Sequence, residues 1–354
     1  MTYLIFGDTF TFPEGTAATN RVFNYAKGFI KNGINVEVIS FGNEYLENHK
    51  GTIEGINYYH PFNQISRNKY FLKRNVSKLL KFYRTSQIIK AINSRDKLFA
   101  IHCYTSLTFT HLYAYVISRL YGIKLIIERG EHPLRNNNAS ILNRLQGNFK
   151  LFIESKLCDS LFCISKYLID FYFERGVKKQ KLFLIPSTVD ADRFNNNFCS
   201  PLPYEYILYC GSLSAKKDGI HILIESFLRI SVKFPDINLV LIGKADTYEE
   251  GQSFIDLANK LNISNRVLFL GQLARTEVPA YLCNATVLAL ARPKSMIADA
   301  GFPSKVTEYL ATGKPVLVSK VGDIPFYLND CENAFIAEPD SIESFVQKLD
   351  FILC

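Results

Sequence analysis

The chain has 354 residues, of which 48% are hydrophobic and 21% charged, and its formal net charge is +8. This length exceeds that of a usual single domain, so we predict two domains that each bury a full core. The composition is ordinary for a globular protein, and no uncharged apolar run approaches the roughly 20 residues that span a bilayer, which excludes a membrane-spanning protein.

The positive charge is concentrated in the first part of the chain. Residues 1–200 contain 27 Lys and Arg against 15 Asp and Glu, whereas residues 201–354 contain 14 against 18. This asymmetry predicts an anionic partner for the first part: lipid headgroups, a phosphorylated acceptor or nucleic acid.

The opening sequence, MTYLIFGDTF, is typical of a buried strand followed by a loop. It has no basic segment, long apolar segment or small-residue cleavage site, so we expect a cytoplasmic protein. The eight cysteines include no Cys-x-x-Cys pair and no His cluster at zinc-ligand spacing, which favours reduced thiols.

Apolar runs that resemble strands alternate with amphipathic stretches in the first part of the chain. The runs are residues 3–7, 35–42, 98–104, 124–130, 160–165 and 181–187. Between the first two runs, residues 20–33 have helical periodicity and end at Gly33, a typical helix stop. The alternation predicts a parallel sheet with crossover helices.

The same alternation starts again after the polar residues 192–203. The second set of runs is residues 206–214, 238–245, 266–273, 285–292, 315–321 and 334–339. We therefore predict two doubly wound α/β domains, residues 1–198 and 199–354, with a ligand cleft between them lined by loops at the carboxyl ends of the strands.

Residues 209–227 combine a strand, a polar loop that contains glycine, and an amphipathic helix. Gly211 lets the backbone approach an anion, the start of the helix offers free amides, and Lys216 or Lys217 adds a positive charge. The pattern predicts a phosphate site, although an ordinary solvated loop explains this stretch alone equally well.

A second stretch, residues 298–316, is a candidate for the other half of the same site. The turn Gly301-Phe302-Pro303 can present amides to a diphosphate, and Glu308 on the following helix can accept hydrogen bonds from a ribose diol. The alternative is a Glu308 that simply faces solvent.

Together with residues 164–194, these stretches resemble family 4 glycosyltransferases, the "group 1" family, over nearly the whole chain. The resemblance implies the GT-B fold: two Rossmann-like lobes, of which the first binds the acceptor and the second the nucleotide sugar. It also places Gly15, in the loop after the first strand, close to donor and acceptor.

One position departs from the family's pattern. The family often has two glutamates with seven residues between them, whereas here Ala300 stands at the first position and Glu308 at the second. In the family the first acid contacts the transferred sugar and the second the ribose. The resemblance therefore implies ribose binding and leaves the sugar contact open, with Asp299 as a neighbouring substitute.

The candidates for a catalytic role in the first lobe are Glu131 and His132, which follow a strand where the family often places a His or an acid facing the reacting sugar. A surface-loop interpretation of both residues stays open. His102 lies within an apolar run and is predicted to be a buried structural residue.

No Asp-x-Asp pair is placed to bind a metal, because the resemblance assigns residues 190–192 to a structural turn. We therefore predict no metal and no cofactor other than the nucleotide diphosphate sugar as co-substrate. Lys216, Lys217 and helix amides would stabilise the leaving phosphate in place of a metal, with Lys217 as the catalytic candidate.

The basic stretch 66–93 interleaves cations with apolar residues. As a helix it could lie on an anionic membrane, which would make the protein peripheral at the inner face of the membrane. The alternative is a normal crossover helix with one core face and one solvated face.

The resemblance thus implies a retaining, hexosyl-type glycosyltransferase that uses a glycan or lipid-linked acceptor in bacterial surface polysaccharide synthesis. Two alternatives stay open: a sugar-nucleotide epimerase or hydrolase of the same fold, and a noncatalytic binding protein. Nucleic acid is not an expected partner, because no recognisable nucleic-acid module is present.

Overall fold

A computed structural model describes residues 1–15, 17–41, 49–62, 69–133, 141–195 and 197–354. The chain divides into two compact units, Met1–Pro186 and Ser187–Cys354. The sequence predicts this boundary twelve residues later. Residues 187–198 are part of the second unit because the short 3₁₀ turn Ala191–Phe194 packs against two helices of that unit.

The sheet of the first unit has eight strands among the described residues. They are β1 (Thr2–Gly7), β2 (Asn35–Ser40), β3 (Lys50–Ile53), β4 (Ile56–Tyr59), β5 (Leu98–Tyr104), β6 (Lys124–Arg129), β7 (Ser160–Cys163) and β8 (Leu182–Leu184). Their order is β3-β4-β2-β1-β5-β6-β7-β8, and every neighbouring pair is parallel except β3 and β4. The predicted parallel sheet is present, and an antiparallel hairpin extends one edge.

Five helices in the described part of the first unit connect these strands. They are α1 (Ala17–Lys31), α2 (Phe71–Arg95), α3 (Thr108–Tyr121), α4 (Ile141–Leu157) and α5 (Lys166–Glu174). The buried side of α1 packs Val22, Phe23 and Ala26 onto β1 and β2. The helix stops before Gly33, whose φ of +76° suits glycine, at the stop that the sequence predicts.

The sheet of the second unit is fully parallel. Its strands are β9 (Tyr206–Cys210), β10 (Asn238–Ile242), β11 (Val267–Gly271), β12 (Val287–Leu290), β13 (Val316–Ser319) and β14 (Phe335–Ala337), in the order β11-β10-β9-β12-β13-β14. Its helices are α6 (Ala215–Asp218), α7 (Ile220–Lys233), α8 (Tyr248–Lys260), α9 (Val278–Asn284), α10 (Met296–Ala300), α11 (Ser304–Ala311), α12 (Ile324–Tyr327) and α13 (Ile342–Leu353).

Each sheet contains one point at which the direction of strand addition reverses. In the first unit this point lies between β1 and β5, and in the second unit it lies between β9 and β12. In open parallel sheets, ligands bind outside the carboxyl ends of the strands at such a reversal. A ligand site is therefore expected at the loops that follow these four strands.

None of the helices in the described parts of the chain combines the length and the apolar character needed to cross a bilayer.

Candidate functional site

The loops after β9 and β12 meet closely in the second unit. Gly219, at the start of α7, has a φ of +68°, and a Cβ added there would lie 1.9 Å from the carbonyl oxygen of Ala291. A side chain at this position would force the two loops apart. Glycine therefore allows the loop after β9 to rest on the segment that follows β12.

Lys305, in the first turn of α11, reaches the loop after β9. Its Nζ donates hydrogen bonds to Oδ2 of Asp218 at 2.9 Å and to the hydroxyl of Tyr209 at 2.9 Å. That hydroxyl lies 2.6 Å from the carbonyl oxygen of Ser212, to which it can donate its own hydrogen. A Cβ added at Gly211 would lie 2.6 Å from the Lys305 ammonium, so the glycine makes room for a cation beside the backbone.

The ion pair between Lys305 and Asp218 is buried. Asp218 is only 1% exposed. Burial by itself would raise the pKa of its carboxyl, but the positive charges of Lys305 and Arg292 outweigh burial and hold that pKa below the usual value. Oδ1 of Asp218 has no hydrogen-bond partner among the described residues. The carboxylate therefore fixes a cation at the carboxyl end of β9.

The two lysines that the sequence singles out lie on the short helix α6 and differ in exposure. Lys216 is exposed and Lys217 is half-buried. The backbone amide of Lys217 donates to the capping hydroxyl of Ser214 at 3.3 Å. Lys217 directly precedes Asp218 on α6, and its charge lowers the pKa of both Asp218 and Lys305.

Glu308 lies one turn after Lys305 on α11. Arg193 donates to its Oε1 at 3.1 Å and to the carbonyl oxygen of Arg275 at 3.2 Å. The next residue, Tyr309, is fully buried, and its hydroxyl accepts a hydrogen bond of 2.8 Å from the amide of Cys210. The helix is thereby tied to the end of β9, with Glu308 beside the loop that carries Gly211.

The charges of Glu308, Lys305 and Arg193 all affect the thiol of Cys210 at the end of β9. Burial raises the pKa of the Cys210 thiol to about 12; the negative charge of Glu308 adds to this increase, whereas Lys305 and Arg193 oppose it. Arg193 contacts Glu308, and both Lys305 and Tyr309, the residue after Glu308, bond to residues of β9, so the three charged groups lie near the end of this strand.

The turn before α11 is more enclosed than the sequence suggests. Gly301, Phe302 and Pro303 are all buried. The ring of Phe302 packs edge-on against that of Tyr327 at 5.3 Å between centroids. Pro303 precedes α11, and no side chain caps the helix. The amide of Val306 donates to the carbonyl oxygen of Pro303, so the amides of Ser304 and Lys305 are the ones that a ligand can reach.

Asp299 and Ala300, at the position that departs from the family's pattern, have different surroundings. Ala300 is fully buried. Oδ1 of Asp299 lies 3.3 Å from the amide of Gly322, from which it accepts a hydrogen bond. In the structure Asp299 therefore binds the backbone after β13.

Lys305 and Arg193 were not among the residues predicted from the sequence. A lysine in the first turn of a helix is unfavourable to the helix dipole, which is a signal that such a residue has an acidic partner. The sequence holds no comparable signal for Arg193, because its contact with Glu308 joins residues that are 115 positions apart.

Polar groups also gather at the strand reversal of the first unit. Asp8 follows β1 and Thr105 follows β5, and the hydroxyl of Thr105 donates to Oδ1 of Asp8. Oδ2 of Asp8 has no hydrogen-bond partner among the described residues. Burial raises the pKa of Asp8, although the Thr105 bond and the charge of Lys81 counteract the increase.

A buried arginine supports this edge of the sheet. Arg129, the last residue of β6, donates to the carbonyl oxygen of Thr105 at 3.0 Å. It also lies 3.0 Å from Nε2 of His111 and forms an ion pair with Glu154. Arg129 thus joins the residue after β5 to α3 and α4.

His111 makes the stability of the first unit dependent on pH. It is fully buried, and burial together with the charge of Arg129 places its pKa well below 6.5. Below about pH 6.5 the unfolded chain binds a proton that the folded chain does not, so we expect the free energy of unfolding to fall on acidification. Its slope should reach at most about 1.4 kcal/mol per pH unit for one group.

Urea titrations between pH 7.5 and 5 measure this slope. In His111→Gln, which keeps an acceptor for Arg129, we expect a shallower decline than in the wild type. Because His60 and His132 also have lowered pKa values, part of the decline will persist. Equal slopes in both proteins would contradict the assignment to His111.

The three remaining predicted site residues lie in loops of the first unit. Glu131 is exposed, whereas His132 packs its ring 4.8 Å from that of Phe171. Burial, followed by the charge of Arg175, lowers the pKa of His132. Gly15 precedes α1 in a crowded turn, where an added Cβ would lie 2.1 Å from the hydroxyl of Thr11. Their proposed roles stay predictions.

The second unit is similar to a known protein family. Residues 190–354 match the model of the family "Glycosyl transferases group 1". An uncharacterized glycosyltransferase of Methanocaldococcus jannaschii is 25% identical over 217 residues, which cover 61% of this chain and 56% of that protein. A second one from the same organism is 28% identical over 116 residues, 30% of this chain and 27% of that protein.

Solved structures of glycosyltransferases share the fold. Sucrose-phosphate synthase from Thermosynechococcus elongatus has a TM-score of 0.70 at 15% identity, and the match covers 99% of this chain and 89% of that chain. Anabaena HepE in complex with UDP-glucose has a TM-score of 0.69 at 16% identity, with 99% and 89% covered. WaaG, a glycosyltransferase involved in lipopolysaccharide biosynthesis, has a TM-score of 0.66 at 14% identity, with 99% and 90% covered. The predicted resemblance to group 1 glycosyltransferases is confirmed for residues 190–354, and the predicted GT-B fold is confirmed.

Proposed function

We propose that the protein is a retaining glycosyltransferase that moves a hexosyl group from a nucleotide diphosphate sugar to a glycan or lipid-linked acceptor, without a metal ion. The second unit binds the donor and the first unit binds the acceptor. The reaction belongs to surface polysaccharide synthesis, a context supported by the similarity to WaaG.

The observation that carries this proposal is the pair of charges on α11. Lys305 presents a cation beside Gly211, and Glu308 presents a carboxylate one turn further along. A nucleotide diphosphate has the complementary order of groups, because its anionic diphosphate is attached to a ribose diol. The carboxylate can accept hydrogen bonds from the diol, while the ammonium and the first two amides of α11 bind the phosphates.

The same groups suit the chemistry of transfer. As the bond between the sugar C1 and the phosphate oxygen breaks, negative charge develops on the diphosphate, and a preorganised cation stabilises that charge. The acceptor hydroxyl forms the new bond to C1 on the same face, and its proton passes to the departing phosphate oxygen. In this scheme the positive charge of Lys305, with Lys216 and Lys217 nearby, serves in place of a metal ion.

The first unit offers acceptor groups at its own strand reversal. Asp8 has one carboxylate oxygen that is not engaged by the described residues, and Thr105 orients the other. Such an oxygen is suited to accept a hydrogen bond from a sugar hydroxyl. Glu131 and His132, in the loop after β6, stay the candidates for contact with the reacting sugar.

Incubation with UDP-glucose, with and without a mixture of glycan and lipid-linked acceptors, tests the proposal. We expect UDP release that depends on acceptor and a product in which the anomeric configuration is retained. An altered sugar nucleotide without acceptor would instead indicate an epimerase, and free sugar a hydrolase. Binding of donor nucleotides without turnover, over a panel of donors and acceptors, would contradict catalysis.

Glu308→Gln tests ribose binding. The amide keeps an oxygen acceptor for Arg193 but removes the charge, so the fold should persist while a charged hydrogen bond to the diol is lost. We expect the Kd for UDP to rise roughly 10- to 100-fold, the loss typical of a hydrogen bond to a charged group. Titration calorimetry measures the affinity.

Two comparisons sharpen this test. Glu249→Gln changes an exposed glutamate of α8 in the same unit and should leave the Kd for UDP unchanged. Inorganic pyrophosphate, which lacks ribose, should bind Glu308→Gln and the wild type with equal affinity. An unchanged Kd for UDP in Glu308→Gln would remove the ribose assignment.

A further inference from the structure

Helices α2, α3 and α4 lie on one face of the sheet in the first unit, on the same side as α5. α2, α3 and α4 connect β4 to β5, β5 to β6 and β6 to β7, and each connection moves in the same direction across the sheet. Right-handed crossovers place such helices on the same face. Contacts agree, since the rings of Phe82 and Tyr113 join α2 to α3, and Arg119 reaches from α3 to the carbonyl oxygen of Leu157 on α4.

The sides of these helices that face away from the sheet expose large apolar side chains. Inward-facing residues such as Thr85, Ala114 and Ile153 are buried. The exposed large side chains are Val76, Leu79, Leu80 and Tyr83 on α2, Phe109, Val116 and Leu120 on α3, and Phe149 and Phe152 on α4. Several are strongly exposed, with Phe109 at 70% and Leu120 at 74%.

The exposed apolar residues of α2 lie along one side of the helix. On α2 the four residues follow one another at intervals of three, one and three positions, which places them on a single stripe of the helix. Single exposed apolar residues are normal on any protein, but a contiguous set on adjacent helices indicates an interaction surface. We call the outward sides of α2, α3 and α4 the three-helix surface.

The charged residues of these three helices indicate which kind of partner the three-helix surface can bind. By sequence, α2 contains seven Lys and Arg, α3 one and α4 three, and the three helices together contain a single acidic residue, Glu154. Glu154 is fully buried and paired with Arg129. Lys73, Lys78 and Lys90 of α2 and Lys156 of α4 are exposed. The three-helix surface therefore combines apolar side chains with cations and has no opposing carboxylate of its own.

We propose that the three-helix surface binds the surface of an anionic lipid bilayer. Lipid headgroups attract the cations, and the adjacent acyl region accepts the aliphatic and aromatic side chains. A single strand of nucleic acid would match cations interleaved with stacking aromatics, but five of the nine exposed apolar residues are aliphatic Val or Leu. A bilayer accommodates both kinds of side chain. The proposal goes beyond the glycosyltransferase reaction and does not depend on it.

Flotation of the full chain with vesicles tests this inference. We expect binding to vesicles of phosphatidylcholine with phosphatidylglycerol, and much weaker binding to phosphatidylcholine alone. Raising the salt concentration should weaken the binding, because it screens the headgroup attraction. Absence of binding to the anionic vesicles at low salt would overturn the proposal.

Two pairs of variants locate the surface. Lys73→Gln with Lys78→Gln removes two exposed cations and should weaken vesicle binding on the order of tenfold or more. Val76→Ser with Leu79→Ser removes apolar side chains and should weaken it to a similar degree. The matched controls, Lys260→Gln and Val232→Ser, change exposed residues of the second unit and should bind as the wild type does.

Unchanged unfolding midpoints will show that the variants are folded, as expected for exposed positions. If both double variants bind vesicles as tightly as the wild type, the three-helix surface is not the membrane contact. If a mixed-sequence oligonucleotide binds this surface in preference to the anionic vesicles, the bilayer is not its partner. Either result rejects the proposal, whatever the outcome of the donor assays.

Discussion

Replacing Lys305 by Met is expected to lower kcat for transfer from UDP-glucose by roughly 10²- to 10³-fold, the usual effect of removing one donor that stabilises developing charge. The physical reason is the position of its ammonium beside Gly211, where Asp218 and Tyr209 hold it. Steady-state kinetics with the wild type and the variant measure the loss.

Stability must be separated from catalysis in this experiment, because Lys305→Met leaves Asp218 buried without its cation. Loss of one partner of a buried pair typically costs about 3–5 kcal/mol. Lys305→Met combined with Asp218→Asn removes both charges and should recover much of the stability, but not the turnover. Recovery of turnover in this double variant would show that Lys305 acts only through the fold.

The variant Lys216→Ala with Lys217→Ala provides the comparison with the lysines that the sequence indicated. It should lose donor affinity or turnover, but less than Lys305→Met does, because Lys216 is exposed and Lys217 only half-buried. A larger loss in this double variant than in Lys305→Met would show that the principal phosphate contact is made by the lysines of α6 and not by Lys305.

Arg21→Met is expected to destabilise the first unit by about 3–5 kcal/mol, the cost of leaving a buried carboxylate without its partner. Arg21 is 5% exposed and pairs with Glu128, which is fully buried. Burial alone would raise the pKa of Glu128, but the charge of Arg21 and the contact with His102 hold it below the usual value. Urea unfolding monitored by circular dichroism gives the difference in free energy.

Arg21 also donates to the carbonyl oxygens of Ile185 and Pro186, at 2.7 and 2.8 Å, so its loss removes more than one charge pair. The double variant with Glu128→Gln should therefore regain only part of the lost stability. Lys31→Met, at the exposed end of the same helix, serves as the control and should change stability little. A cost below about 1 kcal/mol for Arg21→Met would place this pair in the range of a surface ion pair.

Hydrophobic periodicity was enough to predict most of the architecture. Every apolar run from residues 3–7 to 334–339 overlaps a strand of the structure, because strands buried on both faces form continuous apolar stretches that are easily recognised. The hairpin of β3 and β4 has no such run. Its two strands are short and partly exposed. Its turn, at Glu54 and Gly55, needs positive φ at both residues, and this depends on the turn residues and not on apolar periodicity.

The candidate site was only partly predictable, for a different reason. Gly211 and Glu308 were recognisable because they stand in stretches with a local pattern and a family resemblance. Which lysine lies beside Gly211 depends on the approach of α11 to the loop after β9, and no local pattern encodes that approach. The same holds for Arg21 and Glu128, which are 107 positions apart in the sequence and meet only once the sheet has formed.

Lys305 and Glu308 occupy one rigid helix, anchored to β9 through the buried hydroxyl of Tyr309. Three residues of helix rise by about 4.5 Å, so the helix holds these two charged residues at a fixed spacing. A fixed spacing selects ligands by size as well as by charge. Nucleoside monophosphates, whose single phosphate stays close to the pentose, should therefore compete with the donor far less effectively than diphosphates do.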